Sequence, residues 1–212
     1  MRIVTNSLRV LEARKANIEL LLSKHDTSCT SCLRSGNCML QSLSESLNIT
    51  AVPLDIDPKY EEWEDDFPLV RNSSKCIKCG RCVAICDKVQ NIGAWKFSRT
   101  GLVEVNGLRK LSETDCSLCG QCITHCPVGA LTARDDTMKV LAAINDRSKK
   151  TAVQVAPAVR TAWAEHLDLK HYEASPERMV SALREIGFDY VFDTDWAADL
   201  TIIEEVSEFV DR

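Results

Sequence analysis

The pattern Cys-x-x-Cys-x-x-Cys-x-x-x-Cys occurs twice in this 212-residue chain, at Cys76, Cys79, Cys82 and Cys86 and again at Cys116, Cys119, Cys122 and Cys126. No other feature constrains the fold as tightly. Three thiols two residues apart sit on one tight loop and can grip three corners of a single inorganic body, while the fourth, three residues on, points away. A chain that commits eight cysteines in this way must fold around what they hold. Gly80 and Gly120, each directly after a central cysteine, free the backbone for close approach and for conformations that a side chain forbids.

This is the ligand spacing of 4Fe-4S cubanes. In two-cluster ferredoxins the fourth cysteine of each run serves the other cluster, so the expected partition is crossed. Cys76, Cys79, Cys82 and Cys126 hold one cluster; Cys116, Cys119, Cys122 and Cys86 hold the other. Two cubanes side by side make an electron conduit.

The chain has eleven cysteines. An odd number argues against a closed set of disulfides, and the short spacings belong to metal sites. A reducing, cytoplasmic compartment is expected. A net charge of -5 gives no reason to expect nucleic acid or an anionic membrane as partner. The opening Met1-Arg2-Ile3-Val4-Thr5-Asn6 lacks a secretory pattern, and no apolar run is long enough for a membrane span.

In chain order, Leu8, Leu11, Ile18, Leu21 and Leu22 recur at helical spacing between Ser7 and Lys24 and read as an amphipathic helix with an ordinary core stripe. It leads into His25, Cys29, Cys32 and Cys38. One imidazole and three thiolates make a four-coordinate set, which suits a structural zinc. Beside two cubane motifs it also suits a third iron-sulfur cluster, where a neutral ligand in place of an anionic one raises the potential. His25 can equally be a non-ligand residue closing the helix. A short helix is expected from Cys38 through Leu47. The segment 53–58, with Pro53 and Pro58, reads as a linker, and the acidic run Glu61 to Asp66 as solvated surface.

Between the cysteine runs, Ile92 to Glu104 and the turn at Val105-Asn106-Gly107-Leu108 predict short strands of a hairpin. Trp95 and Phe97 are expected to shield a cluster from water. Helices are expected from Asp136 to Asn145, Pro157 to Leu167 and Ala197 to Phe209. Another is capped by Ser175, Pro176 and Glu177 and closed by Gly187. With strands at Ala152–Val155 and Tyr190–Phe192, these imply a parallel pair with a right-handed crossover. A lone pair of strands is not a stable sheet, so this last domain is expected to be incomplete.

The residues resemble one known family, the iron-only (FeFe) hydrogenases of the multi-cluster, NAD(P)-linked type. The resemblance is carried by the His25/Cys29/Cys32/Cys38 site, both cysteine runs, and three segments: Val153 to Arg160, Ala182 to Asp189, and Phe192 to Glu205. It implies an α+β chain of three parts. Residues 1–58 would form a histidine-ligated 4Fe-4S domain, 59–148 a two-cluster ferredoxin-like domain, and 149–212 the incomplete start of the α/β catalytic domain that holds the H-cluster.

The cofactors implied are three 4Fe-4S clusters, with an H-cluster only in an intact parent protein. Ala156, Pro157 and Ala158 would match the loop lining the H-cluster pocket, and Glu205 and Glu208, on one helix face, the carboxylates of the proton path. Expected partners are a ferredoxin or NAD(P)H-oxidising flavoprotein subunits, and the remainder of the catalytic domain. The family's H-cluster cysteines do not occur here, and none follows Cys126. Both flanks read as trimmed, and the chain alone is expected to move electrons without turning over hydrogen. An iron-sulfur subunit of a complex I-like NADH dehydrogenase or a formate dehydrogenase is the alternative, and a non-redox zinc module a third.

Overall fold

The computed structural model describes residues 3–212 apart from 55, 57–59, 65, 108, 109 and 166, and apart from the side chain of residue 171. Part of the expected linker at 53–58, the boundary after residue 58, Asp65 of the acidic run and Leu108 of the expected turn lie outside the described residues. The chain divides into two compact units, Met1–Arg134 and Asp135–Arg212.

In the first unit, Ser7 is extended and its hydroxyl accepts from the Val10 amide at 3.4 Å, starting helix α1, Leu8–Leu22. The stripe is core only at its C-terminal end. Ile18 and Leu22 pack on the interior, whereas Leu8 is 73% exposed. The predicted second helix is α2, Met39–Ser46, with Leu40 buried.

Strand β1, Leu69–Arg71, precedes the first cysteine run. Helix α3, Arg81–Ala84, carries Cys82 and continues into a widened turn over Ile85–Val89 that carries Cys86. Strands β2, Trp95–Phe97, and β3, Val103–Val105, pair antiparallel. Helix α4, Gln121–His125, carries Cys122, and β4, Leu131–Ala133, returns to pair antiparallel with β1. That pairing joins the two ends of the double-cysteine segment.

The hairpin forms where expected, but its turn does not. Ser98 and Leu102 close it: the Ser98 amide donates to the Leu102 carbonyl at 2.8 Å, and the Leu102 amide to the Ser98 hydroxyl at 3.0 Å. Gly101, at φ +77°, supplies the left-handed step. Asn106 instead follows β3 and extends the pairing, its amide donating to the Ala94 carbonyl at 2.9 Å.

The acidic run is less solvated than its charge suggests. Glu64 accepts from the Leu111 amide at 2.6 Å and also binds the Ser112 hydroxyl, capping the turn at Leu111–Glu113. Trp63 donates from its indole to the Leu69 carbonyl at 2.7 Å and stacks on Trp95. The core of this unit centres on Leu111, Val128 and Trp95, at 0%, 1% and 2% exposure, together with buried Cys82, Cys86, Cys122 and Cys126.

The second unit comprises α5, Thr137–Asn145; β5, Ala152–Val155; α6, Pro157–Ala162; α7, Pro176–Ile186; β6, Tyr190–Asp193; and α8, Thr194–Asp211. β5 and β6 are parallel, with Ala152 opposite Tyr190 and Val155 opposite Asp193. Ser175 accepts from the Arg178 amide at 3.3 Å, and Gly187 ends α7 at φ +120°. A Cβ there would stand 2.6 Å from Ile144, so α5 passes too close for any other residue.

Helix α6 is shorter than predicted, giving way to turns after Ala162. Helix α8 begins three residues earlier than predicted, because Asp193 accepts from the Asp195 amide at 3.1 Å. This unit buries Val155, Ala164 and Met179 but leaves Tyr190, Phe192 and Trp196 exposed in a stacked row. Ile202, Ile203, Val206 and Phe209 are likewise exposed along α8.

Candidate metal centres

The two cysteine runs fold as copies of one loop. Lys78 and Gly80 take left-handed φ values of +58° and +70° in the first; Leu118 and Gly120 take +56° and +69° in the second. A left-handed lysine or leucine is disfavoured by sterics. The cost is met at the same place in both loops, on either side of Cys79 and Cys119, which are exposed yet line their cavities. Sequence reading singled out the glycines and missed Lys78 and Leu118, whose only signal was their matching position in the two runs.

Each loop opens on a cavity. The first is lined by Cys76, Cys79, Cys82 and Cys126. The second is lined by Cys86, Cys116, Cys119 and Cys122. The fold thus brings the eight cysteines together as two crossed sets. The reason is geometric: Cys82 and Cys122 sit on the first turn of α3 and α4, whereas Cys86 lies in the widened turn that follows α3 and Cys126 is the extended residue directly after α4.

Among the described residues, no three His, Cys, Asp or Glu side chains converge on a point that would hold a single ion. The thiols stand around a space instead, as ligands of a multi-iron body do. Burial, reinforced by the other thiols, pushes Cys82 up to about 12 and Cys122 up to about 11, the Trp95 indole opposing the shift at Cys122. Burial raises Cys76 as well, opposed by the Lys78 backbone amide and the Arg71 charge. Sets of thiols this crowded hold their protons until a cation replaces them. Trp95 lines both cavities. Phe97, expected to shield a cluster as well, is 48% exposed, and its ring lies against Gly80, where a Cβ would stand 2.4 Å away.

The histidine segment packs against the first set. Asp26 donates from its amide to the Ser74 carbonyl at 3.0 Å, and its carboxylate pairs with Lys75 Nζ at 3.1 Å. Hydrogen bonds from Ser28, together with Lys75, hold that carboxyl down at about 2. Arg34 donates to the carbonyls of Ile123 and Cys126 at 3.1 and 3.2 Å, and the Met39 amide to the Pro127 carbonyl at 3.2 Å. Cys32 Sγ lies 2.6 Å from where a Cβ on Gly129 would stand, so only glycine fits.

His25 is neighboured by Lys75, and its Nδ1 is buried without a hydrogen-bond partner. Burial, then the Lys75 charge, hold the imidazole below its usual range, opposed by the Asp26 charge and a hydrogen bond to the Lys75 backbone. Cys29 is exposed, and Cys32 and Cys38 are half-buried. Apart from the bond to Ile123, a residue lining the second cavity, these contacts fall next to Cys76 and Cys126 of the first. The histidine segment therefore packs mainly beside the first cavity. Arg34 and Lys75, which establish that packing, carried no signal in the sequence.

In the second unit, Ala156 is the extended N-cap of α6, followed by Pro157 and Ala158. Arg160 pairs with Asp193 at 2.7 Å and Asp195 at 2.8 Å, fixing that turn to the start of α8. Glu205 and Glu208 lie exposed on α8, Glu208 paired with Arg212.

Fold and cavities together define an iron-sulfur protein of the two-cluster type, and comparison with known proteins agrees. Residues 75–130 match the 4Fe-4S dicluster domain, residues 14–53 the NADH-ubiquinone oxidoreductase-G iron-sulfur binding region, and residues 149–212 the iron only hydrogenase large subunit, C-terminal domain. The whole chain is 42% identical to NADP-reducing hydrogenase subunit HndD of Solidesulfovibrio fructosivorans and 35% identical to iron hydrogenase 1 of Clostridium pasteurianum. It spans 37% and 38% of their respective lengths. A crystal structure of an NAD+-reducing NiFe hydrogenase in the H2-reduced state aligns with TM-score 0.55 and 25% identity, over 63% of this chain and 58% of that one. The chain is thus similar over its full length to two hydrogenases and, segment by segment, to iron-sulfur domains and the iron-only hydrogenase C-terminal domain. Among the described residues, no helix is long and apolar enough to cross a membrane.

Proposed function

We propose that the chain is the electron-relay portion of an NAD(P)-linked iron-only hydrogenase, passing electrons through three 4Fe-4S clusters toward or from a hydrogen-converting site. The observation that carries this reading is the sorting of eight cysteines into two crossed four-thiol cavities, within a chain similar to two hydrogenases over its full length. When bound, the clusters supply one-electron acceptor sites.

The chain's own residues do the rest. Cys76, Cys79, Cys82 and Cys126 hold one cluster, and Cys86, Cys116, Cys119 and Cys122 the second. His25, Cys29, Cys32 and Cys38 hold the third, for which the buried, unpartnered His25 Nδ1 speaks. Trp95 excludes water from the first two. The packing of Asp26, Arg34 and Met39 against the first cavity supports a linear path from the histidine site through the first cluster to the second.

In this reading residues 1–58, 59–148 and 149–212 are the histidine-site, two-cluster and catalytic-domain portions. The exposed apolar row on β6 and α8 supports a catalytic-domain portion that buries those faces against further hydrogenase sequence, since a two-stranded parallel sheet is not stable with open faces. Ala156, Pro157 and Ala158 line the H-cluster pocket there, and Glu205 and Glu208 stand on the proton path. The partners are a ferredoxin or flavoprotein subunits, in the cytoplasm.

The complex I-like alternative shares the segment 14–53, but residues 149–212 match the hydrogenase domain. Anaerobic reconstitution followed by iron and acid-labile sulfide analysis tests the reading. About twelve irons with matching sulfide are expected for three cubanes; zinc without sulfide sinks it.

A further inference from the structure

The two cavities share a loop but not their electrostatic surroundings. Arg71 lines the first, is 9% exposed, and enters from β1, a strand of three residues whose alternation turns it inward with Leu69. Its guanidinium lies 5.9 Å from the ring centre of Trp63 and 5.7 Å from that of Trp95, two rings that stack on each other. It donates to the Val103 carbonyl, and its ion-pair partner, Glu61 at 3.2 Å, is 56% exposed. A charge held between ring faces and a carbonyl is buried at a cost, and an anion that water already screens offsets little of it. The described residues lining the second cavity include no charged side chain. Asp87, directly after Cys86, is exposed.

From this difference we propose that Arg71 sets a potential step between the two cysteine-ligated clusters, holding the one in the first cavity above the one in the second. The inference rests on the cluster reading above. Reduction adds one negative charge to a cluster, and a buried cation beside it stabilises the reduced form more than the oxidised one. The same charge already favours the thiolate of Cys76. Arg71 touches no reacting atom; it is a tuning residue. The electron entering the pair rests on the cluster nearer the histidine segment, and passage to the second cavity is the uphill step.

The test is a dithionite titration of the reconstituted full chain, followed by electron paramagnetic resonance, each cluster taking one electron. In the unaltered chain the two clusters reduce at separate potentials. Arg71→Gln is expected to lower the upper step and narrow the gap, shifting the ratio of the two reduced populations by about tenfold at a fixed potential. Arg71→Lys, which keeps the charge, should retain most of the gap, and Glu61→Gln, at an exposed site, should widen it slightly.

A gap unchanged or widened in Arg71→Gln overturns the proposal, as does Arg71→Lys behaving like Arg71→Gln, which would make fit and not charge the cause. If Arg71→Gln fails to load, Glu61→Gln decides by the sign of its shift. Failure of the unaltered chain to take up iron and sulfide overturns the cluster reading itself, and it is seen before any variant is made.

Discussion

The two cysteine runs differ little as backbone and a good deal as environments. Lys78 and Leu118, and Gly80 and Gly120, agree in φ to within two degrees, so both loops present their thiols alike. Around them Trp95 is shared, but the charges are not. The first cavity has a buried arginine and the histidine segment against it; the second is lined by apolar groups, Gln90 and Gln121. Ligand geometry is thus a property of the loop, which each run carries within itself. Electrostatics is a property of whatever the rest of the chain folds against that loop.

The largest effect is expected from breaking the crossing. Cys126→Ser, in the second run, should abolish the cluster of the first cavity, and Cys86→Ser that of the second. Each should lower bound iron by about four per chain. Loss of the signal belonging to the mutated run's own cavity would show the sets to be uncrossed.

Trp95→Ala comes next, because the ring serves both cavities at once. Removing a core aromatic of this size costs about 3–5 kcal/mol, read by denaturant unfolding, and both clusters should become more sensitive to oxygen together. Loss confined to one would show that the tryptophan shields only that side.

A smaller effect separates the two glycines. Gly80→Ala and Gly120→Ala each impose a left-handed alanine, costing about 1–2 kcal/mol. Only at Gly80 does the new methyl also meet Phe97. Gly80→Ala should be the more destabilising, and adding Phe97→Leu should bring the two values together. Equal costs without that second change would mean that the half-exposed ring simply swings aside.

The smallest expected effect is one of pH. The ligating form of cysteine is the thiolate, and Cys82 at about 12 and Cys122 at about 11 are thiols at neutral pH. Cluster loading of the apoprotein should therefore strengthen as pH rises from about 7 to about 9, and lag at the first cavity. The linkage to folding has the opposite sign. A thiol whose folded value lies above its unfolded one stabilises the apoprotein below the unfolded value, near 8.5, and that contribution is lost as pH climbs through 11 and 12. Apoprotein that becomes more stable above pH 9 would contradict the assigned burial.

Much of the site was legible before any fold was known. The two repeated cysteine loops, the Ser175 and Gly187 caps and the parallel pair of strands all follow from spacings and residue types that act over a few positions. The misreadings share a cause. Asn106-Gly107 is a good hairpin turn by composition, yet Ser98 and Gly101 make the turn, because Asn106 is drawn into pairing beside Ala94. Glu64 belongs to a charge run that reads as solvated, yet it caps a turn 47 residues away.

What the chain determined by itself is therefore local: loops that place three thiols, glycines that permit their turns, capped helices. Tertiary structure alone decided where charge is buried. Arg71 reads as an ordinary surface cation until β1 pairs with β4, Trp63 folds onto Trp95 and Val103 offers its carbonyl. Those partners lie far apart along the chain, and the free energy of a buried charge depends on all of them being present together.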